Sequence, residues 1–251
     1  MKIAQITDLH LTANKQLTPD GIDVWGNLRW ALETSRGLCA DFLVVTGDIC
    51  LEKGEEAIYQ EFKELIDSYG IPYRLIPGNH DSPEMIAKIW NYPLYRIPMP
   101  HTFEFQSSVL VPAILHYPEC MLYFWDSTYA SINLSWFHGL HSQKLNLIFV
   151  HHPILRGASK FMDTYYPLQN LSEIYSKQSL CTEKTYFFHG HYHCEAYLQE
   201  DNFKIFITPS LYYQIDTHSE KLNKDFSQIG FRWIEVKNDK VISQVVWKVM
   251  R

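Results

Sequence analysis

The sequence predicts an α/β fold, on two observations. Short β-branched or apolar runs alternate with segments whose apolar residues recur at helical spacing. Polar, chemistry-bearing residues then gather just past those runs, where α/β sheets bind their ligands. The first run is Lys2–Ile6, a β-branched strand that stops at Thr7-Asp8-Leu9-His10. Trp25, Leu28, Ala31 and Leu32 follow at helical spacing. Phe42–Thr46 is a continuous apolar run, as expected of a strand buried on both faces. Residues 55–69 form the clearest helix, with Ile58, Phe62, Leu65, Ile66 and Tyr69 on one stripe and Gly70 placed to stop it. Tyr73–Ile76 is the next strand. Ser82-Pro83-Glu84 then reads as an N-cap with proline at the first helical position, opening a helix toward Trp90. Further strands are expected near 121–125, 147–150, 185–188 and 205–208. Residues 231–236 and 241–249 flank Asn238-Asp239 as a terminal hairpin. Residues 127–144 read as loop.

Length and composition narrow the function. At 251 residues the chain suits one domain spanning 1–251, with the hairpin near 230–250 part of it. Hydrophobic residues make up 46% and charged residues 20%, a balance that supports a real core. A net charge of −6 argues against a dedicated nucleic-acid surface, which needs a basic patch. It leaves small anionic substrates open, because bound metal ions reverse the local field. Five cysteines (Cys39, Cys50, Cys120, Cys181, Cys194) without Cys-x-x-Cys spacing speak against disulfides and a structural zinc site. The start Met1-Lys2-Ile3-Ala4-Gln5-Ile6 reaches Thr7 and Asp8 too soon for a signal peptide, and no window reaches a membrane span of about 18 apolar residues. The expectation is a cytoplasmic protein with no membrane partner.

Five clusters carry the chemistry: Asp8-Leu9-His10, Gly47-Asp48, Gly78-Asn79-His80-Asp81, His151-His152-Pro153 and Gly190-His191-Tyr192-His193. Four of them sit just past a strand. Taken singly, each has an ordinary explanation: Gly-Asp is a common turn, and Gly-Asn-His-Asp could lead into the Ser82 cap. Gly-His-x-His is more specific, because alternation along an extended chain would put two imidazoles on one side. Together they supply carboxylates, imidazoles and one amide, a mixed oxygen and nitrogen donor set. Such a set suits manganese, iron or zinc better than magnesium or calcium.

In this order the clusters resemble the calcineurin-like metallophosphoesterase superfamily. Further residues resemble its bacterial class III cyclic-nucleotide phosphodiesterase branch: Tyr59 and Phe62 after Gly47-Asp48-Ile49, Trp125-Asp126-Ser127, Met162-Asp163 with Asn170, Thr208-Pro209-Ser210 with Gln214, and Gly230-Phe231-Arg232-Trp233. The resemblance implies a four-layer α/β/β/α sandwich with the active site at the C-terminal ends of strands. It implies two metal sites, one from Asp8, His10, Asp48 and His193 and one from Asp48, Asn79, His151 and His191, with Asp48 bridging. It gives catalytic roles to His80, facing the phosphate, and to Asn79. His152, Tyr192 and Tyr212 are the candidate substrate contacts, with Tyr213 a neighbour of Tyr212 on the same rim. Asp81 either orients His80 or serves the turn. The implied cofactors are two transition-metal ions, manganese or iron foremost and zinc as an option.

The implied reaction is hydrolysis of a small phosphodiester, 3′,5′-cyclic AMP foremost, by a hydroxide held between the ions. The rivals are a phosphomonoesterase or nuclease on the same site, and a scaffold that keeps the fold without chemistry. The filled ligand set speaks against the scaffold, and the acidic chain against a stable nucleic-acid complex. The sequence departs from the branch at 127–144, which looks compressed and puts the expected shape of the substrate rim in question.

Overall fold

The computed structural model describes residues 1–97 and 107–250. Its first part alternates β1 (Lys2–Ile6), α1 (Val24–Gly37), β2 (Phe42–Thr46), α2 (Glu56–Asp67), β3 (Tyr73–Ile76) and α3 (Pro83–Trp90). There follow β4 (Leu94–Ile97), β5 (Ser107–Leu110), β6 (Ala113–His116), β7 (Cys120–Trp125), β8 (Leu145–Val150), α4 (Lys160–Tyr165), α5 (Leu171–Tyr175) and β9 (Thr185–His189). The chain ends with β10 (Ala196–Glu200), β11 (Phe203–Ile207), β12 (Gln214–Ile215), β13 (Lys224–Asp225), β14 (Gln228–Lys237) and β15 (Lys240–Val249). Among the described residues no helix is long and apolar enough to cross a membrane.

The local signals act as expected. Ser82 Oγ accepts from the Met85 amide and Pro83 opens α3, whose end turns through Asn91 at φ 55°. Gly70, at φ +68°, stands three residues past the end of α2. Asn238 and Asp239, at φ 51° and 59°, give the two positive dihedrals of a tight hairpin turn between β14 and β15.

Two sheets form. The first has the order β15-β14-β1-β2-β3, and the second β10-β11-β9-β8-β7-β6. In the first, β1, β2 and β3 are parallel. In the second, β7, β8, β9 and β11 are parallel, with β6 and β10 antiparallel at the edges.

Alternation along each strand assigns the layers. Ile3, Val44, Ile76 and Ile234 of the first sheet meet Leu122, Phe124, Leu147 and Phe149 of the second in one apolar layer. Ala4, Ile6, Leu43, Val45 and Leu75 face away, against Leu28, Leu32, Ile58, Phe62 and Ile86 of α1, α2 and α3. Tyr123, Trp125, Ile148 and Phe187 face the other way, under Met162 of α4 and Ile174 of α5. The result is a four-layer α/β/β/α sandwich.

Residues 127–144 are more ordered than expected. A 3₁₀ turn at Leu134–Gly139 buries Phe137, whose ring lies 4.9 Å from that of Trp125. The segment therefore covers the outer face of the second sheet, and none of it lines the cleft.

Candidate metal centre and cleft

All five clusters, not four, lie just past a strand: β1, β2, β3, β8 and β9 respectively. Because β1, β2 and β3 run parallel, as do β8 and β9, the loops of each sheet emerge together at one end. Buried polar residues tie the two sheets beside them. Gln5 Nε2 donates to Thr46 Oγ1 at 3.0 Å and to the His189 carbonyl at 3.1 Å, and Thr208 Oγ1 donates to Gln5 Oε1 at 2.7 Å.

The loops approach so closely that side chains are excluded at some positions. A Cβ at Gly190 would run into Thr7 Oγ1 and lie 2.7 Å from Asp8 Oδ2. Gly47, at φ +91°, would put a Cβ 2.7 Å from His151 Nδ1. Asp8, His10, Asp48, His191 and His193 all hold positive φ, between 47° and 65°. Each such residue costs about 1–3 kcal/mol, which the surrounding contacts must offset. The expected extended Gly-His-x-His is therefore wrong in geometry. The left-handed residues send His191 and His193 to different groups of donors, rather than to one side of a strand.

Two groups result. Asp8, His10 and His193 converge in one, and Asp48, His151 and His191 in the other. Asp48 also groups with His10 and His80, so it stands between the two. His193 Nε2 lies 3.4 Å from Asp8 Oδ1 and 3.0 Å from His10 Nε2. Asp48 Oδ2 lies 3.4 Å from His151 Nε2 and 4.0 Å from both His10 Nε2 and His80 Nε2. Asn79 Oδ1 stands 3.3 Å from His151 Nε2.

In three of the four donor histidines the second ring nitrogen is fixed by a carbonyl, which only accepts; His10 Nδ1 is buried with no such partner among the described residues. His151 Nδ1 donates to Thr46 at 2.6 Å, His193 Nδ1 to Tyr213 at 3.0 Å and His191 Nε2 to Tyr166 at 3.0 Å. Each ring so held can turn a lone pair toward the centre, the orientation a metal ligand needs. Burial, reinforced by His193, takes His10 down to about 3, and burial with His151 takes His191 down to about 4. Both are neutral at pH 7, as metal ligation requires. Burial also opposes charge on His151, but the Asp48 carboxylate more than reverses this and takes it up to about 9. Burial opposes the charged form of Asp48 too, yet His151 and its neighbours hold that carboxyl well below its usual range. This donor set fits a bound cation, which would displace the His151 proton.

Asp81 does not orient His80. Its carboxylate accepts from the amides of Ile49 (3.1 Å), Cys50 (3.3 Å) and Gly78 (2.9 Å) and from the Tyr59 hydroxyl (3.0 Å). It lashes the loop after β2 to the loop after β3. His80 is instead held by its own amide, which donates to Asp48 Oδ1 at 3.0 Å.

A cleft of about 390 Å³ opens over these groups, with His10, Asp48, Asn79, His80, His191 and His193 at its floor. Tyr212 and Tyr213 lie along one wall; Tyr212 is 4% exposed and packs into the core, and Tyr213 is half-buried. His152 and Tyr192 do not reach it. Each neighbours a histidine of the donor groups and turns the other way. His152 is buried behind His191, its Nδ1 2.9 Å from Ser127 Oγ and its ring 4.2 Å from that of His191. Tyr192 is buried too, and its hydroxyl donates to Asp163 Oδ1 at 2.9 Å. Missing from the sequence reading are Phe161 and Tyr166 on a second wall, and Asp20 and Lys224 beside Tyr212. The aromatic run Phe161, Tyr165, Tyr166 could have drawn attention to the second wall, whereas nothing local marks Asp20 or Lys224.

A model of the calcineurin-like phosphoesterase family matches residues 1–243. A probable cyclic nucleotide phosphodiesterase of Fibrobacter succinogenes is 30% identical, over 86% of this chain and 82% of the relative. A 3′,5′-cyclic adenosine monophosphate phosphodiesterase of Escherichia coli K12 is 27% identical, over 99% and 90%. Among solved structures, a dimetal phosphatase from Danio rerio shares the fold, with a TM-score of 0.66 at 13% identity over 98% of this chain and 95% of that one. The donor groups at the strand ends and the match along nearly the whole chain lead to one conclusion: the protein belongs to the calcineurin-like phosphoesterase family and is a metal-dependent hydrolase of phosphoric esters.

Proposed function

We propose that the enzyme hydrolyses 3′,5′-cyclic nucleotides, cyclic AMP foremost, with two transition-metal ions at the cleft floor. Asp8, His10, Asp48 and His193 would hold one, and Asp48, Asn79, His151 and His191 the other. The observation that carries this reading is the position of Asp48, a member of donor groups on both sides. Manganese and iron suit the donors, and zinc is compatible. Five unpaired cysteine thiols suit a reducing, cytoplasmic setting.

When bound, the ions supply positive charge against the phosphate and a water acidic enough to act near neutral pH. The chain's residues do the rest. Asn79 adds a donor without adding negative charge, and its amide can donate to a phosphate oxygen. The His80 side chain, about one-third exposed at the cleft and fastened at its amide, meets the leaving oxygen and can protonate it. Tyr213, Phe161 and Tyr166 offer ring surface to a base, and stacking of this kind is worth about 1–3 kcal/mol per base. A diester brings one negative charge to the floor. A monoester dianion can bind more tightly without its transition state being favoured, and only differential binding raises the rate.

The test compares kcat/KM of the metal-loaded enzyme for 3′,5′-cyclic AMP, 2′,3′-cyclic AMP, an aryl diester and an aryl monoester. The expected order places 3′,5′-cyclic AMP first. A monoester preference of tenfold or more, about 1.4 kcal/mol in barrier, would establish a phosphatase instead. Equal rates on every diester would retire the cyclic-nucleotide assignment and leave the reaction class standing.

A further inference from the structure

We propose that Asp20 and Lys224, paired directly and tied by Asp20 to Tyr212, form the edge of the cleft that recognises the base of a nucleotide. The proposal rests on the nucleotide reading above and names residues that decide it. Three remote segments meet here. Asp20 Oδ2 accepts from the Tyr212 hydroxyl at 2.5 Å and from the Lys224 ammonium at 2.9 Å, across 192 and 204 residues of sequence. The same ammonium lies 4.5 Å from the centre of the Tyr213 ring and 5.8 Å from that of Tyr212.

The clasp is anchored to the donor groups. The Tyr213 ring lies 4.5 Å from that of His193, and the Tyr212 ring 5.5 Å from that of His10. In the short ribbon β12–β13, Ile215 pairs with Lys224. The Ile215 amide donates to the His193 carbonyl at 2.8 Å. One tyrosine ring thus separates Lys224 from His193, a spacing that suits a nucleotide with its phosphate on the floor and its base on the wall.

Charge and exposure point the same way. Lys224 carries the one lysine or arginine cation among the described residues lining the cleft. The side chains of Asp20 and Lys224 are 34% and 31% exposed, within reach of a ligand. Tyr212 and Lys224 together hold Asp20 below the usual carboxylate range, so it stays an acceptor. An ion pair this exposed adds little to stability, so folding alone gives small reason for it. An acceptor beside a donor, over two aromatic faces, complements the edge of adenine, where an amino group adjoins a ring nitrogen. The amino group would donate to Asp20 and the ring nitrogen accept from Lys224.

The experiment uses the metal-loaded enzyme with K224M, D20N and Y212F. Two substrates, 3′,5′-cyclic AMP and bis(p-nitrophenyl) phosphate, are followed, with adenosine 5′-monophosphate and inorganic phosphate as inhibitors. K224M and D20N should lower kcat/KM for cyclic AMP at least tenfold, mainly through KM, and leave the aryl diester within twofold. Adenosine 5′-monophosphate should inhibit the wild type at least tenfold more tightly than phosphate, and K224M should erase that advantage. Y212F, which keeps the ring but frees Asp20, should give an intermediate loss. Parallel losses on both substrates with a lowered Tm would make the clasp structural and overturn the proposal. So would equal inhibition of the wild type by the two anions. If cyclic AMP were not hydrolysed yet the inhibition advantage held and vanished in K224M, the base edge would stand and the reaction assignment alone would fall.

Discussion

Replacing Asp81 with alanine isolates the tie between the loops after β2 and β3. The native carboxylate takes hydrogen bonds from three backbone amides and the Tyr59 hydroxyl, all of them buried. Alanine leaves four donors without their acceptor. A stranded buried donor costs about 1–3 kcal/mol, but water entering the space left behind would serve some of them. The net cost should be about 3–5 kcal/mol, the upper range for a single substitution. For a chain of this size each kcal/mol lowers Tm by about 2–4 °C, so the expected fall is roughly 6–20 °C. Asp81→Asn should cost less. Its carbonyl can stay with Ile49, Cys50 and Tyr59, and only the Gly78 amide then meets a second donor. Urea unfolding of both variants in chelator reports the structural part. Metal titration reports the rest, because Gly78 precedes Asn79 and Ile49 follows Asp48. Affinity in Asp81→Ala should fall at the sites sharing Asp48 and Asn79. A variant within about 0.5 kcal/mol of wild type, with unchanged metal affinity, would refute the account of Asp81 as a lashing.

Three further outcomes are expected. Asp48→Asn should drop the bound metal from about two equivalents to fewer than one by elemental analysis, since both proposed metal sites lose a ligand; full retention would end the shared-ligand reading. His80→Ala should keep its metal and lose about 10²–10⁴-fold in turnover, whereas His191→Ala should lose metal and recover partly in excess metal; identical behaviour of the two would reverse their roles. Asp126 is buried, accepting from the Leu110 amide at 2.6 Å and from both Thr128 donors, and burial takes it from 3.8 up to about 6. Its stabilising contribution is full only below the unfolded value of 3.8 and is lost as pH rises through about 6. Metal-stripped wild type should therefore lose about 2 kcal/mol relative to Asp126→Asn between pH 4 and pH 7, and a flat difference in urea midpoints would contradict the burial argument.

Among the strands, uniform burial makes β2 and β8 the plainest to read from sequence. Residues 42–46 and 145–150 are buried at every position, and a run of apolar residues is what such a strand requires. Strand β6 is only four residues long, its apolar run at 113–115 confined between Pro112 and His116 and buried at no position, and α4 and α5 have six and five residues, too few for a helical period to register. The donor residues were legible because they fall directly after strands. Their backbone was not. Positive φ at His191 and His193 is imposed by the crowding of five loops, which spacing along one loop does not encode. Likewise His152 and Tyr192 carry the right chemistry and point away from it. Asp20 and Lys224 meet only through the tertiary fold, across 204 residues.

Each donor group draws on both sheets. Asp8 and His10 follow β1, and their companion His193 follows β9; Asp48 follows β2, and its companions follow β8 and β9. A cation shared by His10 and His193 would be a cross-link closing a ring of 183 residues. In the chain-entropy account, a covalent bridge over such a ring restricts the unfolded chain by about 5 kcal/mol. No disulfide is present to do this. Stripping the ions would then do more than silence the enzyme: it would cut a tether that closes 183 residues of chain, and the seam between the sheets would be the first place to open.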